Sequence, residues 1–181
     1  MSMANELVWL DLEMTGLNPK RHRIIEIATL ITDSDLNIIA EGPEIVIHAN
    51  ETILGRMNDY VHEMHQRSGL LEKVRDSKVT IEEAEKETLE FLNKHLDRKY
   101  RPPLCGNSIG TDRRFLDAQM NELENRLHYR VVDVSSIKEL VLRWDSSILE
   151  GMPPKLETHR ALDDVIESIE ELKFYREKVF R

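Results

Sequence analysis

Apolar residues come first in short unbroken runs and later at helical intervals. Leu7-Val8-Trp9-Leu10-Asp11-Leu12 is a run of the kind a buried strand makes, and Thr15-Gly16 breaks it. Ile24-Ile25-Glu26-Ile27-Ala28-Thr29-Leu30-Ile31-Thr32 is β-branched and predicts a second strand. Asp33-Ser34-Asp35 is a turn, followed by apolar pieces at Ile38-Ile39 and Ile45-Val46-Ile47. Three consecutive strands on short turns predict an antiparallel meander. From Thr80 the period changes. Thr80-Ile81-Glu82-Glu83 has capping-box spacing, and Ile81, Ala84, Thr88, Phe91, Leu92 and Leu96 recur at helical intervals until Arg101-Pro102-Pro103. Leu104-Cys105-Gly106 predicts a short buried strand, 108–127 a helix, Val131-Val132-Asp133-Val134 another strand, and a helix then runs through Leu140, Val141 and Trp144. Gly151-Met152-Pro153-Pro154 is a loop, and a last helix spans 160–178. Meander first and alternating units afterwards describe an α/β fold, a mixed sheet with helices on its faces.

Length and composition narrow this picture. The 181 residues, 40% of them hydrophobic, are most simply one domain over 1–181, large enough to bury a core without disulfides. A single cysteine, Cys105, excludes an internal disulfide framework and multi-cysteine zinc patterns. The N-terminus has neither a basic n-region nor a long apolar run, so a cytoplasmic location and no membrane partner are expected. The 25 Lys and Arg against 34 Asp and Glu leave a net charge of −9. That balance argues against a protein gripping long nucleic acid along a basic track, since phosphate contacts are normally made by Lys and Arg.

Three groups of polar residues stand out against the apolar pattern. Asp11 and Glu13 lie two apart at the end of the first strand, so both point to one face. Two ionised carboxylates beside Trp9 are costly unless a cation sits between them; the alternative is that Asp11 caps the strand end and Glu13 is in solvent. Asp112 falls inside the apolar stripe of Phe115, Leu116, Leu123 and Leu127, where a carboxylate needs a compensating partner. Asp117, by contrast, has helical spacing for surface pairing with Arg113 or Arg114. His159 opens the last helix. There Asp164 has small neighbours, Ala161 and Ser168, which favour its facing inward over Asp163, whose neighbours are Arg160 and Glu167. Four acids and one histidine on separate elements imply two hard divalent cations, Mg²⁺ or Mn²⁺, with the histidine as a base. Two such ions roughly 4 Å apart can stabilise attacking and leaving oxygens of a phosphate ester.

These residues fall into recognisable motifs. Trp9-Leu10-Asp11-Leu12-Glu13-Met14-Thr15-Gly16-Leu17, Gly106-Asn107-Ser108-Ile109-Gly110-Thr111-Asp112 and His159-Arg160-Ala161-Leu162-Asp163-Asp164 resemble, in order, the three motifs of the DEDDh exonucleases. Within that group the chain is similar to the oligoribonuclease family. Met14, the 107–110 stretch, His128-Tyr129-Arg130, Asp133-Val134-Ser135 and the helix through Tyr175-Arg176 carry this likeness. The resemblance spans essentially the whole chain. It implies an RNase H-like fold, a homodimer, and 3′→5′ removal of 5′-mononucleotides from very short RNAs, dinucleotides above all. It also implies roles. Asp11, Glu13, Asp112 and Asp164 would bind the metals, and His159 would be the general base. Leu17 would wedge against a base, and Tyr60 stands where the family usually places a stacking Trp. Ser108, Arg130, Ser135 and His65 would hold the terminal 5′-phosphate, with Tyr129 arriving from the partner subunit.

Other readings stay open at this point. Ser136-x-x-Glu139 has capping-box spacing, which gives the neighbouring serines an alternative role as helix caps. Arg130 has the alternative of pairing with a surface acid, and Tyr60 of packing alone. The alternative activity is a DEDDh exonuclease on longer RNA or DNA 3′ ends, in proofreading or tRNA trimming. A catalytically silent binding module is a third reading, which the intact motif carboxylates disfavour. A substrate of two nucleotides reconciles the acidic charge with a nuclease, because four of the acids would be metal ligands and a few focused contacts suffice to hold it.

Overall fold

The computed structural model describes residues 5–154 and 159–180. Strands β1 (Leu7–Met14), β2 (Ile24–Thr32) and β3 (Ile38–Val46) form the expected antiparallel meander. The third strand takes in both apolar pieces, up to Val46; Pro43 is tolerated within it because β3 is an edge strand. Residues 51–76, to which the apolar pattern assigns nothing, form three short helices: α1 (Glu51–Leu54), α2 (Asp59–Arg67) and α3 (Leu70–Asp76). Asn50 and Asn58 cap the first two through their side-chain oxygens. Helix α4 (Ile81–His95) starts in a complete Thr80–Glu83 capping box.

After β4 (Leu104–Gly106), the single helix expected over 108–127 is two, α5 (Gly110–Gln119) and α6 (Asn121–Arg126). The break falls at Met120, whose φ of −137° and ψ of 61° leave the helical region while its side chain is fully buried. Both pieces still turn the predicted stripe inward. Strand β5 (Val131–Asp133) leads into α7 (Val134–Trp144), and a 3₁₀ turn over Ser146–Gly151 precedes α8 (Ala161–Lys178).

The sheet order is β3-β2-β1-β4-β5, with β4 parallel to β1 and β5 parallel to β4. This is the mixed sheet expected from the sequence. Val8, Leu10 and Leu12 enter the layer under α4, α5 and α6, whereas Trp9, Ala28 and Leu30 pack with Val165 and Ile169 of α8. A third apolar group, with Ile25, Leu54, Leu70 and Val74, fastens α1–α3 to the sheet. Covered on both faces, β2 is buried along its whole length. No helix among the described residues is long and apolar enough to cross a membrane.

Candidate active site

Strand parity brings the acids together. Asp11 and Glu13 are in phase with Trp9 and therefore face α8, the helix that carries Asp164. Asp11, Glu13 and Asp164 each offer a carboxylate oxygen within 4.8 Å of the others. Asp112 approaches from α5 on the other side of β1 and stays outside this trio. Its Oδ1 accepts the Leu12 backbone N–H at 3.1 Å. That amide lies past the β1–β4 ladder, which pairs only Val8 with Leu104 and Trp9 with Cys105. The site thus sits at the C-terminal ends of β1 and β4, where the strands are no longer paired.

The carboxylates strain against one another. Burial pushes Asp11 well above the ordinary carboxylate range, and Asp112, Glu13, Asp164 and Glu26 add to the rise. Glu13 is pushed up to about 9 by burial, then by Asp164, Glu26 and Asp112, against the pull of Arg160. Burial also raises Asp112, opposed by backbone N–H groups that include Leu12. Hard oxygen donors with this much uncompensated charge fit a divalent metal ion.

His159 has a φ of +51°, a left-handed conformation uncommon for a non-glycine residue and enriched at functional sites. Together with Tyr60, Met64, Arg67 and Asp163 it lines a cavity of about 650 Å³. On the other side of Tyr60, a second cavity of about 730 Å³ runs from Glu13 to Leu17. Leu17 and Tyr60 are both 69% exposed at its rim, so neither is held there by packing. The Leu17 loop closes tightly: Gly16 has a φ of +147°, and a Cβ there would lie 2.5 Å from the His22 ring.

A second polar group gathers at the ends of β4 and β5. The Ser108 N–H donates to Asp133 Oδ1 at 3.0 Å and to Ser135 Oγ at 2.9 Å. The Ser135 N–H donates to the same Asp133 oxygen, so Asp133 is the cap of α7 and the Ser136 capping box does not form. Ser108 Oγ lies 3.1 Å from Ser135 Oγ, and Ser108, like His159, has a positive φ, of 50°. Arg130 has no carboxylate partner among the described residues; its Nε donates to the Tyr129 hydroxyl, and Tyr129 is 73% exposed. His65 is not with this group. Its ring is fully buried, with Nε2 2.9 Å from the Met14 carbonyl and Nδ1 3.8 Å from Glu13 Oε2. Burial holds that imidazole below its ordinary pKa. The structure therefore places His65 with the acids, whereas the resemblance would set it on the terminal phosphate.

The profile of the RNase T exonucleases matches residues 8–172. The chain is 53% identical to an oligoribonuclease of Shewanella amazonensis over 178 residues, covering 98% of this chain and 97% of that protein. It is 52% identical to an oligoribonuclease of Vibrio parahaemolyticus over 182 residues, covering 100% and 99%. The chain belongs to the oligoribonuclease family of exonucleases. Solved structures share the fold at lower identity. The nuclease domain of 3′hExo, a DEDDh family member bound to rAMP, superposes with a TM-score of 0.70 at 19% identity, covering 98% of this chain and 94% of that one. Escherichia coli exonuclease I in complex with an oligonucleotide gives 0.72 at 14%, covering 98% and 42%. Membership in this exonuclease family and the acidic trio together point to divalent metal ions as the cofactor.

Two residues outside the family motifs hold this site in shape. Glu26 is fully buried opposite Glu13 in the β1–β2 ladder. It accepts the Arg160 Nε at 3.1 Å and the Ala161 N–H at 3.0 Å, which pins the chain immediately after His159. An acid inside an otherwise apolar strand was the signal for it. Arg113 does not pair with Asp117. It binds Glu124 at 2.6 Å and donates to the His128 and Tyr129 carbonyls, so it braces the loop that carries Tyr129 and Arg130. No spacing rule could have found that contact, because Glu124 lies beyond the helix break.

Proposed function

We propose that this chain is a 3′→5′ exoribonuclease that hydrolyses very short RNA, 5′-phosphorylated dinucleotides above all, to 5′-mononucleotides. The observation that carries this reading is the pairing of two sites across the same strand ends. The acidic trio lies at one end, and the Ser108–Ser135 group, with Arg130 nearby in sequence on the way into β5, lies at the other. Asp11, Glu13, Asp164 and Asp112 hold two cations, Mg²⁺ or Mn²⁺. When bound, the cations supply Lewis-acid stabilisation of charge on the attacking and leaving oxygens of the scissile phosphate.

The chain's own residues do the rest. His159 accepts the proton of the attacking water, the general-base role that an imidazole most often fills. The Glu26–Arg160 clamp limits where His159 can stand. Leu17 wedges against a base, and Tyr60 presents a π-face for stacking. Ser108 and Arg130 hold the terminal 5′-phosphate with a neutral and a cationic donor, and Ser135, whose hydroxyl proton goes to Asn107, completes the pocket by fixing Ser108 through its backbone N–H. Their fixed position relative to the acids measures substrate length, since a longer strand must give up the phosphate contacts or bulge. Residues 1–181 act as one exonuclease domain in the cytoplasm.

The unit of function is a homodimer, with Tyr129 of each subunit completing the phosphate pocket of the other. The exposed Tyr129 and the exposed apolar side chains of α7, Leu140, Leu142 and Trp144, supply a surface for it. Nucleotide release from 5′-phosphorylated RNAs of two, five and twenty residues, with and without Mg²⁺ or Mn²⁺, tests the reading. Metal-dependent turnover fastest on the dinucleotide is expected. Equal rates on all three would replace it with an exonuclease of longer strands, and no activity with Mn²⁺ would leave a binding module.

A further inference from the structure

Asn107 is not among the residues that bind metal or phosphate in the reading above, yet it lies between the two. Its Oδ1 accepts the Ser135 hydroxyl at 3.0 Å. Its Nδ2 donates in the other direction, to Ser168 Oγ at 2.9 Å and to Glu171 Oε2 at 3.1 Å. Ser168 in turn donates to the Asp164 carbonyl at 2.8 Å, and Tyr175, fully buried, donates its hydroxyl to Glu171 Oε1 at 3.1 Å. One amide thus joins a serine of the phosphate pocket to the helix turn that carries a carboxylate of the acidic trio.

The chemistry of this link is directional. A primary amide offers an acceptor on one side and two donors on the other, and all three are used here. Glu171 is buried, so its hydrogen bonds to Asn107 and Tyr175 are made in a low-dielectric setting that strengthens them. The Ser135 hydroxyl, having given its proton to Asn107, is left with lone pairs toward the Ser108 N–H, which fixes its rotamer. Loosening the amide therefore frees the serine and uncouples it from α8 in one step.

We propose that Asn107 is a positioning residue that sets the span between the 5′-phosphate pocket and Asp164, so that phosphate binding is converted into alignment of the scissile bond. The inference rests on the phosphate-pocket reading of Ser108 and Ser135. Binding energy from a remote group raises kcat only when it is rigidly connected to the reacting centre. A rigid Asn107 link makes the 5′-phosphate count in kcat as well as in KM.

The test compares a 5′-phosphorylated dinucleotide with the same dinucleotide lacking the phosphate, in the wild type, Asn107→Ala and Glu171→Gln, with thermal melts to verify folding. The wild type should favour the phosphorylated substrate in both kcat and KM. In Asn107→Ala the kcat advantage conferred by the phosphate should shrink about tenfold, the scale of one to two lost hydrogen bonds. Glu171→Gln offers one oxygen acceptor where two are needed, so it should shift the ratio the same way by a smaller factor, and it tests the link even if Asn107→Ala does not fold. Equal losses on both substrates, or a change in KM alone, would overturn the coupling while leaving the pocket standing. A wild type indifferent to the phosphate would overturn the pocket itself, and the coupling with it.

Discussion

The two ends of the site are built on opposite principles. At the β1 end, carboxylates are packed closely enough that Glu13 is pushed up to about 9 and Asp11 well above its usual range. At the β4–β5 end, Ser108, Asp133, Ser135 and Asn107 satisfy one another through hydrogen bonds of 3.0–3.1 Å. The first end is costly until a cation arrives, whereas the second is already arranged for its ligand. A site of the first kind obtains affinity from relief of repulsion, and one of the second kind from preorganisation.

Removing divalent metal should have the largest effect of any perturbation. Chelation should stop turnover, and Mg²⁺ or Mn²⁺ should restore it, read as mononucleotide release. Activity surviving chelation would mean the acidic end is not a metal site. His159→Ala should lower kcat by about 10²- to 10⁴-fold while sparing dinucleotide affinity, measured by titration with Mg²⁺ replaced by Ca²⁺. Equal loss of both would make the histidine structural.

The preorganised end should respond more mildly and only to phosphorylated substrates. Ser135→Ala should weaken kcat/KM on a 5′-phosphorylated dinucleotide by about tenfold, with a much smaller change on the unphosphorylated one. An equal change on both would remove the distinction between the two ends.

Stability against pH sharpens the comparison further. A carboxyl whose folded pKa is raised from 4.5 to about 9 binds more protons folded than unfolded between those values. Its contribution is therefore fully present below pH 4.5 and lost as pH rises to about 9. The Tm of the metal-free protein should fall over that window, and saturating Mn²⁺ should flatten the slope. A flat metal-free profile would contradict the crowding of the trio. The smallest effect is expected at Tyr60, since Tyr60→Trp keeps a π-face on an exposed position and should change KM by less than about fivefold. A larger change would mean that Tyr60 reads more than stacking.

The same contrast governs how much was legible in the sequence. Asp11 and Glu13 were readable as a same-face pair because strand parity is a local property, and Asp112 was readable from its place in a helical stripe. The capping box at Thr80 formed as its spacing predicts. The helices over 51–76 were not readable, because α1 and α3 are under eight residues and the buried side chain of α2 is a histidine. Periodicity needs several turns to register, and these helices draw their order from packing on Ile25 and from asparagine caps. The break at Met120 was also hidden, since the apolar stripe continues across it in register.

By itself the sequence determined the mixed sheet, the motif acids and the faces on which they lie, because periods of two and 3.6 are written residue by residue. Only the tertiary structure decided which groups meet. Glu26 finds Arg160, Arg113 finds Glu124, His65 joins the acids, and Asn107 joins Ser135 to α8. Those contacts bridge elements from 11 to 134 positions apart, and a side chain's partner at such a distance follows from sheet order and helix packing, which no local pattern encodes.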